Sequence, residues 1–300
     1  MATLHRLASA GLVALVLVGC TPERSDTGDT STVDTSEFGP GAQPDAPLLR
    51  TVDLAPDLAT PCDADGDTAT TTDQYTGCLA MFVGDGQVPL DTRPFPFGAS
   101  STFLPVPVTG DYTFNGVDWN TWRASPGTAN TPSNRVISFD VPLDPNSVQS
   151  VVIYGLAAAG NTGTVRIDDD LTPPTSGKAR LRFFDGAYGA ASATPDVTLG
   201  FTVVASGAVY GQFSAPVEVD PGADQPLAID LNGDGSPNIV ALLSVEADTL
   251  YDLFLVNVDP GMVPSGFLGF LHTPTTEQPT LVPFAVYQDG GGGGTDTGGA

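Results

Sequence analysis

The sequence predicts an all-β protein: two tandem antiparallel β-sandwich domains behind a disordered tether. Three observations carry that prediction. Gly 35 and Pro 27 in 300 residues weaken helices throughout, and no stretch keeps the 3.6-residue period of an amphipathic helix. Apolar residues come instead in short runs parted by turn residues, and a hydrophobic share of 41% is enough for packed cores. Two of those runs return late in the chain, as a repeat would make them.

In chain order, residues 1–19 come first. His5 and Arg6 precede an apolar run over 7–18 that ends in Leu17-Val18-Gly19-Cys20. The run is shorter than the ~20 residues of a spanning helix, and small residues ahead of a cysteine suit a lipoprotein signal peptide cleaved before Cys20. A plain secretory signal or an uncleaved anchor is the alternative, and each of these exports the chain. Acyl chains on Cys20 would hold it to a membrane at ~0.8 kcal/mol per buried CH₂. In a Gram-negative cell, Thr21, standing where aspartate would retain a lipoprotein at the inner membrane, favours the outer membrane of the cell envelope.

Residues 20–61 are rich in Thr, Ser, Asp, Gly and Pro, and read as a disordered acidic tether, since few apolar residues are there to offset ordering entropy. As a flexible coil its ~40 residues would span roughly 35 Å. Residues 62–175 and 176–288 read as the two sandwich repeats, and the glycine-rich 289–300 as a disordered tail. Within them, Ile137, Phe139 and Val141 alternate with Ser138 and Asp140, and Leu227, Ile229 and Leu231 with Ala228 and Asp230, the period of half-buried strands. Thr109-Gly110-Asp111 and Ser206-Gly207 look like hairpin turns. The repeat is seen where Leu79-Ala80-Met81-Phe82-Val83-Gly84-Asp85-Gly86 meets its echo in Ala179-Arg180-Leu181-Arg182-Phe183-Phe184-Asp185-Gly186, and each half closes on a long apolar strand, 147–155 and 249–257.

Charge excludes whole classes of partner. Against 35 acidic residues stand 10 basic ones, giving a net charge of -25, and Lys178 is the sole lysine. Nucleic acid and anionic headgroups would be repelled.

Several stretches resemble one known family. Pro96-Phe97-Gly98-Ala99-Ser100-Ser101 followed by Val108-Thr109-Gly110-Asp111-Tyr112-Thr113, the junction from Asp169-Asp170-Leu171 through Gly177-Lys178-Ala179-Arg180-Leu181-Arg182-Phe183, and Asp248-Thr249-Leu250-Tyr251-Asp252-Leu253-Phe254 are similar to the bacterial domain-of-unknown-function 4397 family, whose members are often tandem repeats on exported proteins. The resemblance covers roughly residues 78 to 258. It implies immunoglobulin-like sandwiches and no established enzymatic activity. The family's opening strand runs on into a His-Ala-Ser-Pro stretch, where this chain has Asp185-Gly186-Ala187-Tyr188.

The residues with chemistry are few. Cys62 and Cys78 form an even pair in an exported chain and predict a disulfide, closing a loop of about 15 residues that contributes ~3 kcal/mol. Inside that loop lie Asp63, Asp65 and Asp67. Later, Asp230, Asn232, Asp234 and Asn238 have the spacing of a calcium loop, with Gly235 at its sixth position; the competing reading is a hairpin turn. No cofactor is expected beyond a structural calcium, for which this loop and the Asp63, Asp65 and Asp67 set are the candidates. Asp26-Thr27-Gly28 and Asp296-Thr297-Gly298 lack the apolar flanks of an aspartic-protease dyad. His272 is the sole histidine after the leader, which leaves one ring for any nucleophilic triad. Trp119 and Trp122, in a polar stretch, either stack on a ligand or cap the first sandwich. The function expected is a non-enzymatic, lipid-anchored surface protein that binds an envelope glycan or protein. A structural spacer without a ligand is the alternative, and a carbohydrate-active enzyme a third reading.

Overall fold

The computed structural model describes residues 47–63, 74–75, 77–90, 95–101, 103–105, 110–187, 194–257, 267–273, 280–282 and 285–286. Cys20, most of the predicted tether, Asp65, Asp67 and the tail lie outside the described residues. What is described is almost wholly β, arranged as two β-sandwiches. The first holds β1 (Leu48–Leu54), β2 (Cys62–Asp63), β3 (Gln74–Tyr75), β4 (Leu79–Val83), β5 (Leu104–Pro105), β6 (Gly110–Asp118), helix α1 (Trp119–Ala124), β7 (Arg135–Leu143), β8 (Val148–Tyr154) and β9 (Gly163–Asp168). The second holds β10 (Ala179–Gly186), β11 (Asp196–Leu199), β12 (Thr202–Ala205), β13 (Val217–Val219), β14 (Gly222–Asp230), β15 (Ile239–Val245), β16 (Leu250–Asn257), β17 (Phe267–His272), β18 (Thr280–Val282) and β19 (Ala285–Val286).

The two sandwiches follow one plan. Sheet order β5-β1-β8-β9 in the first is matched by β13-β10-β16-β17-β18 in the second, and β4-β6-β7 by β12-β11-β14-β15-β19. In each, the opening strand runs parallel to the late apolar strand, β1 beside β8 and β10 beside β16. These two sheets are therefore mixed, where wholly antiparallel ones were predicted, while β4-β6-β7 and β12-β11-β14-β15-β19 are antiparallel throughout.

The same pairing corrects the start of the first sandwich and the phase of the repeat. β1 falls inside the predicted tether, yet all seven of its residues are buried. Arg50, Thr51 and Asp53 hide it among the polar residues around it, because a strand covered on both faces shows no alternation. The counterpart of β10 is β1, and β4 matches β11 instead. The hidden signal is Leu49-Arg50-x-x-Asp53-x-Ala55 set against Leu181-Arg182-x-x-Asp185-x-Ala187.

Side-chain alternation along β1 and β10 explains how the sandwiches meet. Leu49, Ala55, Val151 and Ile153 face the core of the first sandwich with Phe114 and Phe139, and Leu181, Phe183, Leu253 and Leu255 face that of the second. The opposite faces of the same strands meet each other: Val52, Leu54 and Val152 pack on Phe184, Phe254, Val256 and Phe270. The result is four layers with the parallel-paired sheets in the middle. Phe97 sits edge-on to Phe270 at 5.4 Å, and Gly98, at φ +83°, has no room for a Cβ, which would stand 2.5 Å from the Phe270 ring.

Three local expectations are resolved. β7 alternates as predicted, and β14 and β15 form the expected hairpin, Ile229 opposite Ile239. Of the predicted turn Thr109-Gly110-Asp111, Thr109 lies outside the described residues, and Gly110 and Asp111 belong to β6, which pairs with β4 and β7 while β5 pairs with β1. The turn of the later hairpin is Gly200-Phe201, between Leu199 and Thr202, and Ser206-Gly207 follows the end of β12.

Candidate functional site

At one end of the seam the apolar packing gives way to charge. Arg50 on β1 donates through Nε to Ser150 Oγ at 2.8 Å and through Nη2 to Asp252 Oδ2 at 2.9 Å. Arg182, its repeat equivalent on β10, donates to Asp252 Oδ1 and to Asp169 Oδ1, each at 2.5 Å. Ser150 Oγ in turn donates to Asp169 Oδ2 at 2.5 Å. By repeat symmetry Arg182 would face Ser150 as Arg50 faces Asp252; serine carries no charge, and Asp169, just past β9, supplies it. Burial alone would push the Asp252 carboxyl up, but the Arg182 and Arg50 charges overcome this and hold it at about 2. Both guanidiniums also lie over rings, Arg50 5.4 Å from Phe103 and Arg182 4.6 Å from Phe213. Arg50, Asp169 and Asp252 are almost wholly buried and Arg182 borders a cavity of only about 30 Å³, so the chemistry of the cluster is that of a joint.

Other buried polar groups mark the same strands. Asp53 and Asp185 are equivalent in the repeat, fully buried, and each accepts the backbone N–H two residues on, from Ala55 at 3.0 Å and Ala187 at 3.1 Å. Burial pushes both carboxyls up, Asp185 to about 6. His272 ends β17 opposite Asp252, as the sequence suggested for a strand end, and is buried. Burial and the Arg50 charge hold its ring neutral, with a pKa of about 3.

The predicted site residues are scattered. Cys62 and Cys78 are joined in a disulfide. Trp119 and Trp122 stand on α1 with ring centroids 4.7 Å apart, and Trp119 is buried among Cys62, Cys78, Phe82 and Val117, with Trp122 packed against that cluster. They cap the disulfide end of the first sandwich. Asp118 starts α1 by accepting the Thr121 N–H at 2.9 Å and accepts the Thr60 N–H at 2.6 Å; burial raises its pKa, and these donors bring it below the ordinary value.

Asp63 lies in β2, away from 230–238. In that turn, Asp230 accepts N–H bonds from Asn232, Gly233 and Gly235 at 3.2, 2.8 and 2.6 Å. Asn232 donates to Asp234, and Asn238 accepts the Leu231 N–H at 2.7 Å. The loop closes on its own side chains. Among the described residues, no group of three or more His, Cys, Asp or Glu is placed to hold a metal ion.

The open site is one that sequence reasoning missed. Between β12 and β13, on the lateral edge of the second sandwich, lies a groove of about 380 Å³ lined by Val203, Ala205, Gly207, Val209, Phe213 and Val217 among others, with no charged side chain. Phe201 is 109% exposed, Val203 56% and Val209 50%, an apolar rim in a strongly acidic chain. Phe201-Thr202-Val203-Val204-Ala205 is apolar on both faces, so nothing in its pattern tells the exposed side from the buried one. Asp196 flanks the groove, accepting the Gly207 N–H at 2.8 Å, and Glu218 stands on β13, accepting the Thr175 N–H at 2.7 Å.

A search of curated proteins finds no match. A solved structure from Bacteroides fragilis, titled a "putative cell adhesion protein", is 12% identical to this chain, with 80% of this chain and 98% of that one covered at a TM-score of 0.17; so faint a likeness carries no argument. Residues 76–197 match the model of the family described as Domain of unknown function (DUF4397). That match runs from just before β4 to β11, one full period of the repeat, and this stretch of the chain is DUF4397-like.

Proposed function

We propose that this chain is a lipid-anchored, non-enzymatic protein of the cell envelope, a rigid module that binds an envelope glycan or another envelope protein. The observation that carries the reading is the pairing of a closed seam with an open groove. Arg50, Asp169 and Asp252 spend their buried charge, with Arg182, on joining the sandwiches, while the uncharged groove at β12 faces outward from the resulting body. The leader ending at Cys20 supports the anchor.

The full chain, incubated with envelope fractions of its own organism, should be retained saturably, and Cys20→Ser should release it from membranes. The seam also favours a second reading, a rigid spacer without a ligand. Absence of saturable retention together with self-association would select the spacer.

A further inference from the structure

We propose that the groove beside β12 takes an extended polypeptide segment of another envelope protein, apolar at alternate positions and neutral or basic at its ends, which adds as a further strand to the β12 edge. The inference rests on the binding-module reading above and gives it a site and a partner class.

Backbone geometry argues for a peptide. β12 ends its sheet, with β11 on one side and no strand on the other among the described residues. Leu199 and Thr202 close the two-residue turn, so the next pair, Thr198 and Val203, is the one that exchanges no hydrogen bonds. The Val203 N–H and C=O then point away from β11, toward the free edge. A bulge shifts the register after Val203, so the regular edge is short and centred on that residue; such an edge is a template for strand addition, in which main-chain bonds give affinity and pockets for alternate side chains give selectivity. The groove supplies those pockets, and the exposed Phe201, Val203 and Val209 supply apolar area for the added strand to cover.

Charge selects among peptides. The lining is uncharged, Asp196 stands beside it on the Gly207 N–H, and the whole chain carries -25. A carboxylate-rich segment is repelled, and basic ends are drawn to Asp196 and to the acidic surface of the chain as a whole. The same net charge opposes a second copy of this chain as the occupant. In the first sandwich, β4-β6-β7 has no counterpart of β12 among the described residues, so this edge belongs to the second alone.

The test titrates the full chain into a fluorescent peptide, acetyl-Lys-Val-Thr-Val-Thr-Val-Lys-amide, at low salt. The expected result is saturable binding, weakened at least about tenfold when glutamate replaces both lysines. Val203→Pro should weaken it about tenfold or more with an unchanged melting temperature, because proline on a free edge removes an outward N–H and no ladder bond. Phe201→Ser with Val209→Ser keeps the backbone intact and should weaken binding as well. Absent binding by the parent chain, or undiminished binding by both variants, overturns the proposal, as does concentration-dependent dimerisation abolished by Val203→Pro, which would assign the edge to a second copy. The envelope-retention assay is run on the same proteins. Retention that survives in both variants sinks the groove and leaves the broader reading standing; loss of retention in all proteins, parent included, sinks both.

Discussion

Arg50 and Asp252 lie 202 residues apart in sequence and 2.9 Å apart in space, with side chains 0% and 2% exposed. This one contact ties the first strand of the first sandwich to the late apolar strand of the second. A buried ion pair is weak evidence of added stability, because desolvating both charges is costly, but breaking one is expensive. It is therefore a good place to ask whether the sandwiches act together.

Arg50→Ala should destabilise the protein by about 3 kcal/mol, the low end for a broken buried pair, because Arg182 still neutralises Asp252. Ser150→Ala, which removes hydrogen bonds and no charge, should cost about 1 kcal/mol. Urea unfolding of the two variants measures both, and a cost below that of Ser150→Ala for the arginine variant would contradict the joint.

Acid dependence should show two opposed groups. Asp185 has its carboxyl raised from 3.8 to about 6, so it contributes stability at low pH that is lost as pH rises from about 4 through 6. His272 is lowered from 6.5 to about 3, so its contribution is present above 6.5 and lost as pH falls toward 3. Relative to the parent, Asp185→Asn should make stability climb more steeply with pH between 4 and 6.5, and His272→Gln should make it climb less. The two variants' differences from the parent, measured by urea unfolding across that range, must have opposite sign. Asp53, raised by the same burial, should behave as Asp185 does.

The tryptophan cap should be structural. Trp119→Ala should cost about 3 to 5 kcal/mol, as for a large buried side chain, and Trp122→Ala less, since that ring is only partly buried. Reducing the Cys62–Cys78 disulfide should cost about 3 kcal/mol in the chain-entropy account. Intact stability with lost envelope retention in the Trp119 variant would move the binding site to the cap.

Calcium should leave the melting temperature where it stands in chelator, because the turn at 230–238 is already closed by Asp230 and Asn238. A rise with millimolar calcium, abolished by Asp230→Ala, would return that loop to the metal reading.

What the sequence revealed followed from what alternation can encode. β7 and β14 are covered on one face, and the period of two showed them plainly. β1 is covered on both, and its Arg50 and Asp53 read as solvent-facing residues when one is the joint and the other lies in a core. The disulfide was legible from an even pair of cysteines behind a leader that reads as an export signal. The groove was not, because Phe201 and Val203 differ from the buried Val204 and Ala205 in placement and not in kind.

The central claim, that the two sandwiches are one rigid body, is tested most directly by following the same urea unfolding with two probes. Both tryptophans lie in the first sandwich, on α1, so their fluorescence reports that half alone, while far-ultraviolet circular dichroism reports both. A shared seam predicts one transition with coincident midpoints in the two signals. A fluorescence transition separated from a second one seen by circular dichroism would mean that the sandwiches unfold independently, and would contradict the account.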